Sequence, residues 1–271
     1  MSQINPMNEC IKDLKNPMDL RGKNAIVTGG NRGIGFGIAT AFTQRGASVA
    51  ILCRNIEDGK RAAEELNAEG GNAIAVHCNI TDTDSVKTAV QEVWEKFGAV
   101  DVLVNNAGIS LRKPFLELDE DMHEFTDVVD VNLVGAARMS LICGKRMAAA
   151  GGGSIINITS VGGTLSNSAE MQPMAGYTSS KAALNHLTRT LAVELSRDNI
   201  RVNGVAPGPT HSSLEDGLSE EMRLSFSRRL CTRRFGEGLE IGAMCAYLAS
   251  PEAAQICGSI IAVDGGILVK G

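Results

Sequence analysis

A chain of 271 residues suits one large α/β domain or two small ones, and 44% hydrophobic with 21% charged residues is close to the globular average. A formal charge of −5 argues against a nucleic-acid partner, no apolar run approaches the roughly 18 residues of a membrane span, and seven cysteines without CxxC spacing suit a reducing compartment, so a cytoplasmic location is expected. Glycine reaches 30 residues, about 11% against a usual ~7%, and clusters without collagen periodicity, which excludes fibre and disorder and points to specific backbone turns.

Residues 1–20 form an extension in which Met7, Ile11 and Leu14 recur at helical spacing after Asn5-Pro6, predicting a short amphipathic helix. From residue 24, short apolar runs alternate with segments of helical period. Strands are predicted at 24–28, 48–53, 72–78, 100–105, 154–159, 201–206 and 259–263, and helices at about 34–45, 57–69, 82–97, 119–149, 174–197 and 237–249, with Asp82 and Asp119 as caps. Most of the strands are apolar without alternation, as parallel strands buried on both faces require. The expected fold is therefore α/β: one domain over 21–271 with a doubly wound, seven-stranded parallel sheet and helices on both faces. The long connection at about 209–235, rich in arginine, is placed to act as a lid, because ligands of such sheets bind beyond the carboxyl ends of the strands.

The first strand runs straight into Thr28-Gly29-Gly30-Asn31-Arg32-Gly33-Ile34-Gly35 and then a helix. Glycines there permit a tight turn that brings backbone N–H groups and a helix N-terminus to a pyrophosphate. This TGxxxGxG spacing resembles the short-chain dehydrogenase/reductase family, in the branch with an Asn-Ser-Tyr-Lys catalytic set. Further motifs of that family recur in order: Asn105-Asn106-Ala107-Gly108, Tyr177-Thr178-Ser179-Ser180-Lys181, Pro207-Gly208 and Asp264-Gly265-Gly266. The resemblance covers the chain from about Leu20 onward. It implies a Rossmann-type NAD(P)-binding oxidoreductase, with cofactor contacts at Gly29, Asn31, Arg32, Gly33, Ile34, Gly35, Asn79, Ile80, Asn106, Ala107, Gly108, Tyr177, Lys181, Pro207, Gly208, Thr210 and Ser212.

The choice of dinucleotide is read at the end of the second strand, where a carboxylate favours the ribose hydroxyls of NAD and an arginine favours a 2′-phosphate. Here Arg54-Asn55 follows Cys53, and Arg32 adds a second cation in the glycine turn, so NADP(H) is the expected cofactor, with Arg54 and Asn55 in its site.

Tyr177 and Lys181, four residues apart, project from one helix face, and an adjacent ammonium is expected to lower the phenol pKa. Ser160 closes the apolar run that forms the fifth strand. By resemblance it holds the substrate oxygen, with Thr159 one position early, and Asn132 is the helix-borne asparagine whose backbone positions a water linking the lysine to solvent. His77, His123, His186 and His211 have no ligand spacing, and no metal is expected.

The implied reaction interconverts a secondary alcohol and a ketone on a small molecule. The loop from Val161 to Gly176 carries Asn167, Ser168, Glu170 and Gln172 beside Leu165, Met171 and Met174. Its length and polar groups favour a polyol or ketose-like substrate, and its methionines suit a hydroxysteroid. Reduction of 3-oxoacyl groups on acyl carrier protein is a third alternative, weakened by Gly151 and Asp198 where such relatives carry basic residues and kept open by the neighbouring Arg197 and Arg146. A catalytically idle NADP sensor or scaffold is the alternative outside enzymes. The resemblance also implies a homotetramer, with a dimer as the alternative, paired through the long helices after strands four and five.

Overall fold

The computed structural model describes residues 18–166, 173–212 and 219–270. Seven strands, β1 (Asn24–Thr28), β2 (Ser48–Cys53), β3 (Asn72–His77), β4 (Val102–Asn105), β5 (Gly153–Ile158), β6 (Ile200–Pro207) and β7 (Ile260–Val263), form one sheet in the order 3-2-1-4-5-6-7. Every neighbouring pair is parallel. The order reverses between β1 and β4, which opens a crevice at the carboxyl ends of those two strands.

Alternate residues along each strand feed two apolar layers. Val27, Ile51, Val104 and Ile156 face α1 (Gly33–Thr43), α2 (Ile56–Ala68) and α8 (Gly238–Ala249), where Ile38, Phe42, Leu66 and Leu248 complete one core. Ile26, Leu52, Leu103 and Ile155 face the opposite layer, in which α3 (Thr83–Phe97) and α5 (Ala136–Ala150) contribute Val86, Val90, Met139 and Met147, and α6 (Ala175–Glu194) contributes Ala192. Helices α1 and α8 cross at glycines. A Cβ on Gly37 would lie 2.5 Å from the Gly238 carbonyl oxygen, so the backbones touch where a side chain would hold them apart. The strands β3 and β7 at the sheet edges are more exposed than the uninterrupted apolar pattern predicts, because each has only one strand neighbour.

The largest departure from the sequence reading lies in the helix predicted at 119–149. It is divided into α4 (His123–Val129), a π-helical turn at Asp130–Gly135, and α5. Asp119 does cap its start, accepting from the N–H groups of His123 (2.7 Å) and Glu124 (2.9 Å). The predicted helix around Met7, Ile11 and Leu14, the loop positions Asn167, Ser168, Glu170, Met171 and Gln172, and residues 213–218 of the long connection lie outside the described residues. The remaining helices are α7 (Glu220–Arg229) and the short α9 (Ile267–Lys270).

Candidate active site

The cleft at the sheet reversal encloses about 1110 Å³. Its first wall is the β1 turn. The Thr28 hydroxyl accepts from the N–H groups of Asn106 and Ala107, both at 3.0 Å, and the Asn106 amide donates to the carbonyls of Thr28 (2.9 Å) and Gly29 (3.2 Å). These bonds fasten the glycine turn to the end of β4. Gly29 and Gly33 take positive φ of 63° and 54°, and a Cβ on Gly35 would lie 2.5 Å from Asn106 Nδ2. Only a chain without side chains at these points makes the turn. Helix α1 starts there with Arg32 at its N-cap and no side chain bonded to its first N–H groups, whereas Asn55, Asp82 and Ser219 cap α2, α3 and α7. Uncapped N–H groups at the floor of a cleft suit a phosphate.

At the rim, Arg32 and Arg54 are exposed on the cleft wall, and neither guanidinium is paired with a carboxylate among the described residues. Asn55 also lines the cleft, but its side chain is engaged in capping α2: Oδ1 accepts from Glu57 N (3.1 Å), and Nδ2 donates to Asp58 Oδ2 (2.7 Å). Asn79 accepts from the Thr81 hydroxyl at 3.0 Å, which shapes the loop over Ile80. Together with Ala107 and Gly108, these residues complete the walls of that half.

The other half is built on β5 and α6. Ser160, two residues beyond β5, accepts from Gly162 N (3.0 Å) and is hydrogen-bonded to the Tyr177 phenol. Lys181 lies one turn along α6, its Nζ 5.8 Å from the centroid of the Tyr177 ring and 2.7 Å from the Ile158 carbonyl it donates to. Burial pushes the Tyr177 phenol up, opposed by the Ser160 hydrogen bond, and burial pulls Lys181 down to about 8. The expected lowering of the phenol by the ammonium is absent here, because Nζ is turned to a backbone carbonyl and the group acting on the phenol is Ser160. Thr159 also lines the cleft, but its hydroxyl is engaged, donating to Val205 O (3.1 Å).

Asn132 sits inside the π-helical turn, is 1% exposed and does not line the cleft. Its amide bonds both ways to Ile109, accepting from N at 2.8 Å and donating to O at 2.9 Å, and also donates to Ser180 Oγ at 3.1 Å. It thereby ties the loop after Gly108 to the helix of Tyr177 and Lys181.

A family model described as enoyl-(acyl carrier protein) reductase matches residues 29–268. The 3-oxoacyl-(acyl-carrier-protein) reductase of Staphylococcus aureus is 37% identical over 246 residues, covering 90% of this chain and 98% of the relative. The 5-keto-D-gluconate 5-reductase of Escherichia coli is 36% identical over 254 residues, covering 92% and 97%. A solved 7α-hydroxysteroid dehydrogenase, complexed with NADH and 7-oxo glycochenodeoxycholic acid, superposes with a TM-score of 0.88 at 35% identity, covering 94% of this chain and 98% of that one. The chain belongs to the short-chain dehydrogenase/reductase family. It is accordingly an oxidoreductase acting on CH–OH or carbonyl groups, in a family that uses NAD(P).

In this short-chain dehydrogenase/reductase the remaining cleft wall follows β6. Pro207, Gly208, Thr210 and Ser212 line it, and the Thr210 hydroxyl donates to Gly208 O at 2.9 Å. Phe226 of α7 and Phe235 meet edge to face, 6.3 Å apart, and pack with Leu230 and Ile267 as a small separate core against Val161, next to Ser160. Arg234 is committed to Glu240 through two bonds of 2.8 and 2.6 Å, a structural pair that holds Glu240 down to about 2. Met174, one of the loop methionines noted in the sequence, lines the cleft, which also contains groups that the sequence reading did not single out: Asp58 at the rim, and Ser110 and Arg112. Only the fold brings them there, since none belongs to a spaced motif.

Proposed function

We propose that the chain interconverts a secondary alcohol and a ketone with NADP(H), on a polyol or ketose-like small molecule. The observation that carries this reading is the Ser160–Tyr177 hydrogen bond with Lys181 one helical turn behind it, facing a cleft whose far rim holds two arginines without carboxylate partners among the described residues.

The residues fit the dinucleotide. The uncapped start of α1 and the crowded glycine turn would take the pyrophosphate, and Arg32 and Arg54 a 2′-phosphate, which guanidinium groups bind through paired hydrogen bonds. The bound cofactor supplies or accepts the hydride. Tyr177 holds the proton that passes to the carbonyl oxygen, and its burial keeps the phenol protonated at neutral pH. Ser160 fixes that oxygen beside the phenol. Lys181, whose buried ammonium is pulled down to about 8 and so gives up its proton more readily than an ordinary lysine, orients the cofactor and replenishes the proton, and Asn132 ties the loop after Gly108 to the helix of Tyr177 and Lys181. Phe226 and Phe235, from the described part of the long connection, form an apolar wall for the substrate.

Two further features support the rest of the reading. Val134, Leu141 and Val193 are exposed on the π-helical turn, α5 and α6, consistent with a homotetramer paired through these helices. The six described cysteines are all free, consistent with action in the cytoplasm. Arg146 and Arg197, the basic groups nearest the expected docking points for an acyl carrier, are engaged with Trp94 and Asp198, which weighs against the carrier substrate.

The test is consumption of NADPH and NADH by the purified chain across 5-keto-D-gluconate, other ketoses, a 7-oxo steroid and an acetoacetyl thioester. Fastest turnover of a keto sugar with NADPH is expected, with Arg54→Asp reversing the cofactor preference. Preference for the steroid or thioester refutes the substrate class. An unchanged preference in Arg54→Asp refutes the NADP(H) assignment, and silence across the panel with NADPH bound favours a sensor.

A further inference from the structure

Asp58 is the one carboxylate among the described residues on the wall of the cleft. It stands in the first turn of α2, four residues beyond Arg54, where an acidic residue would ordinarily be read as favouring the helix dipole. Glu57, its neighbour in that turn, answers to that reading and does not line the cleft. Asp58 does line it, and its two oxygens are separately occupied. Oδ2 accepts from Asn55 Nδ2 at 2.7 Å, and Oδ1 is paired with the guanidinium of Arg61, three residues on, which is itself 76% exposed and not part of the wall. The cleft wall therefore carries two guanidinium groups, from Arg32 and Arg54, with no carboxylate partner among the described residues, and one carboxylate that an outer arginine partly neutralises.

We infer that Asp58 is a specificity-determining residue that sets how strongly the cleft discriminates NADPH from NADH, and that Arg61 acts only through it. The inference rests on the NADP(H) reading above. A 2′-phosphate drawn to Arg54 is repelled by any residual charge on Asp58, whereas a ribose hydroxyl is not, so the carboxylate taxes one dinucleotide and spares the other. Arg61, by screening Asp58, eases that penalty. The side chain of Asn55 is held by the same carboxylate and by its capping bonds, so the group that tunes the preference set by Arg54 is Asp58 and not Asn55.

The test measures dissociation constants of NADPH and NADH by nucleotide fluorescence for the wild-type chain, Asp58→Asn, Arg61→Met and the double variant, with no substrate present. Asn at 58 still accepts from Asn55 and leaves the cap in place. Asp58→Asn is expected to tighten NADPH about five- to tenfold with NADH within twofold, Arg61→Met to weaken NADPH by a few-fold, and the second effect to vanish in the double variant. Equal shifts for both nucleotides, no shift, or an Arg61→Met effect that persists beside Asp58→Asn each overturn the inference. A wild-type chain that prefers NADH refutes the NADP(H) reading while the Asp58→Asn ratio still decides the role of Asp58, and a chain that binds neither nucleotide overturns both.

Discussion

Two glycines of the same turn are expected to respond very unequally to the same change. In Gly35→Ala the new Cβ would overlap the Gly29 carbonyl oxygen and lie 2.5 Å from Asn106 Nδ2 and 2.8 Å from the Gly29 carbonyl carbon. Two of these three atoms are backbone, and the third belongs to a side chain already fixed by two hydrogen bonds, so the turn itself must open. In Gly30→Ala the nearest atoms are Val27 O at 3.2 Å and Ile51 side-chain carbons at 3.3 Å, a squeeze that a few tenths of an ångström relieve. Overpacking of a rigid site costs about 1–3 kcal/mol, and a backbone clash belongs at the upper end. About 3 kcal/mol for Gly35→Ala corresponds to a fall in Tm of roughly 6–12 °C, against less than about 1 kcal/mol and 4 °C for Gly30→Ala. Opening the turn also moves the start of α1, so Gly35→Ala should weaken NADPH binding at least tenfold. Thermal denaturation of the two variants, followed by fluorescence titration with NADPH, measures both quantities. Equal melting temperatures, or a Gly35→Ala chain that binds NADPH like wild type, would refute the assignment of the phosphate turn.

Lys181→Met should make the protein without cofactor more stable at neutral pH, even though it removes a proposed catalytic group. Burial pulls the folded pKa down to about 8 from 10.5, so below pH 8 both states carry the proton and the folded state bears the full cost of the buried charge. Between about pH 8 and 10.5 the unfolded state binds more protons, wild-type stability rises, and the advantage of Lys181→Met, at most about 3 kcal/mol, shrinks. Denaturant melts of both proteins across that window measure it, and an advantage that grows with pH contradicts the burial argument. Asn132→Ala removes three hydrogen bonds that join Ile109 to Ser180, for an expected loss of about 2 kcal/mol and 4–8 °C in Tm. Its NADPH affinity should change less than its kcat, a split that steady-state kinetics resolve.

The sheet was legible because its signal is local: apolar runs such as residues 48–53 and 154–158 admit few other readings, and a lysine four residues after a tyrosine fixes a shared helix face. The π-helical turn around Asn132 was not. One extra residue in a turn leaves the apolar pattern of 119–149 almost unchanged, and the reason for the turn, an asparagine bonded to Ile109 and Ser180, exists only once β4 and α6 are side by side. The same holds for the relay in which the Asn105 amide donates to Ser140 Oγ (2.9 Å) and Asn157 Oδ1 (2.8 Å), and the Asn157 amide to Thr188 Oγ1 (2.9 Å). It joins α5 to α6 through two strands, at residues that along the chain look like interruptions of apolar runs. Asn55 lines the cleft where its place after Arg54 puts it, but that its side chain also caps α2 is visible only in the fold, and along the chain a carboxylate in a first helical turn, such as Asp58, has an ordinary explanation.

In the proposed reaction Tyr177 transfers the proton while the rest of the cleft binds the cofactor. That division of roles is tested most directly by single-turnover reduction of a turned-over ketone by NADPH already bound to wild-type protein and to Tyr177→Phe, with the NADPH dissociation constant measured on both. The rate is expected to fall at least about 10²-fold in Tyr177→Phe, with affinity for NADPH within a few-fold of wild type. A Tyr177→Phe protein that oxidises NADPH at the wild-type rate would contradict it.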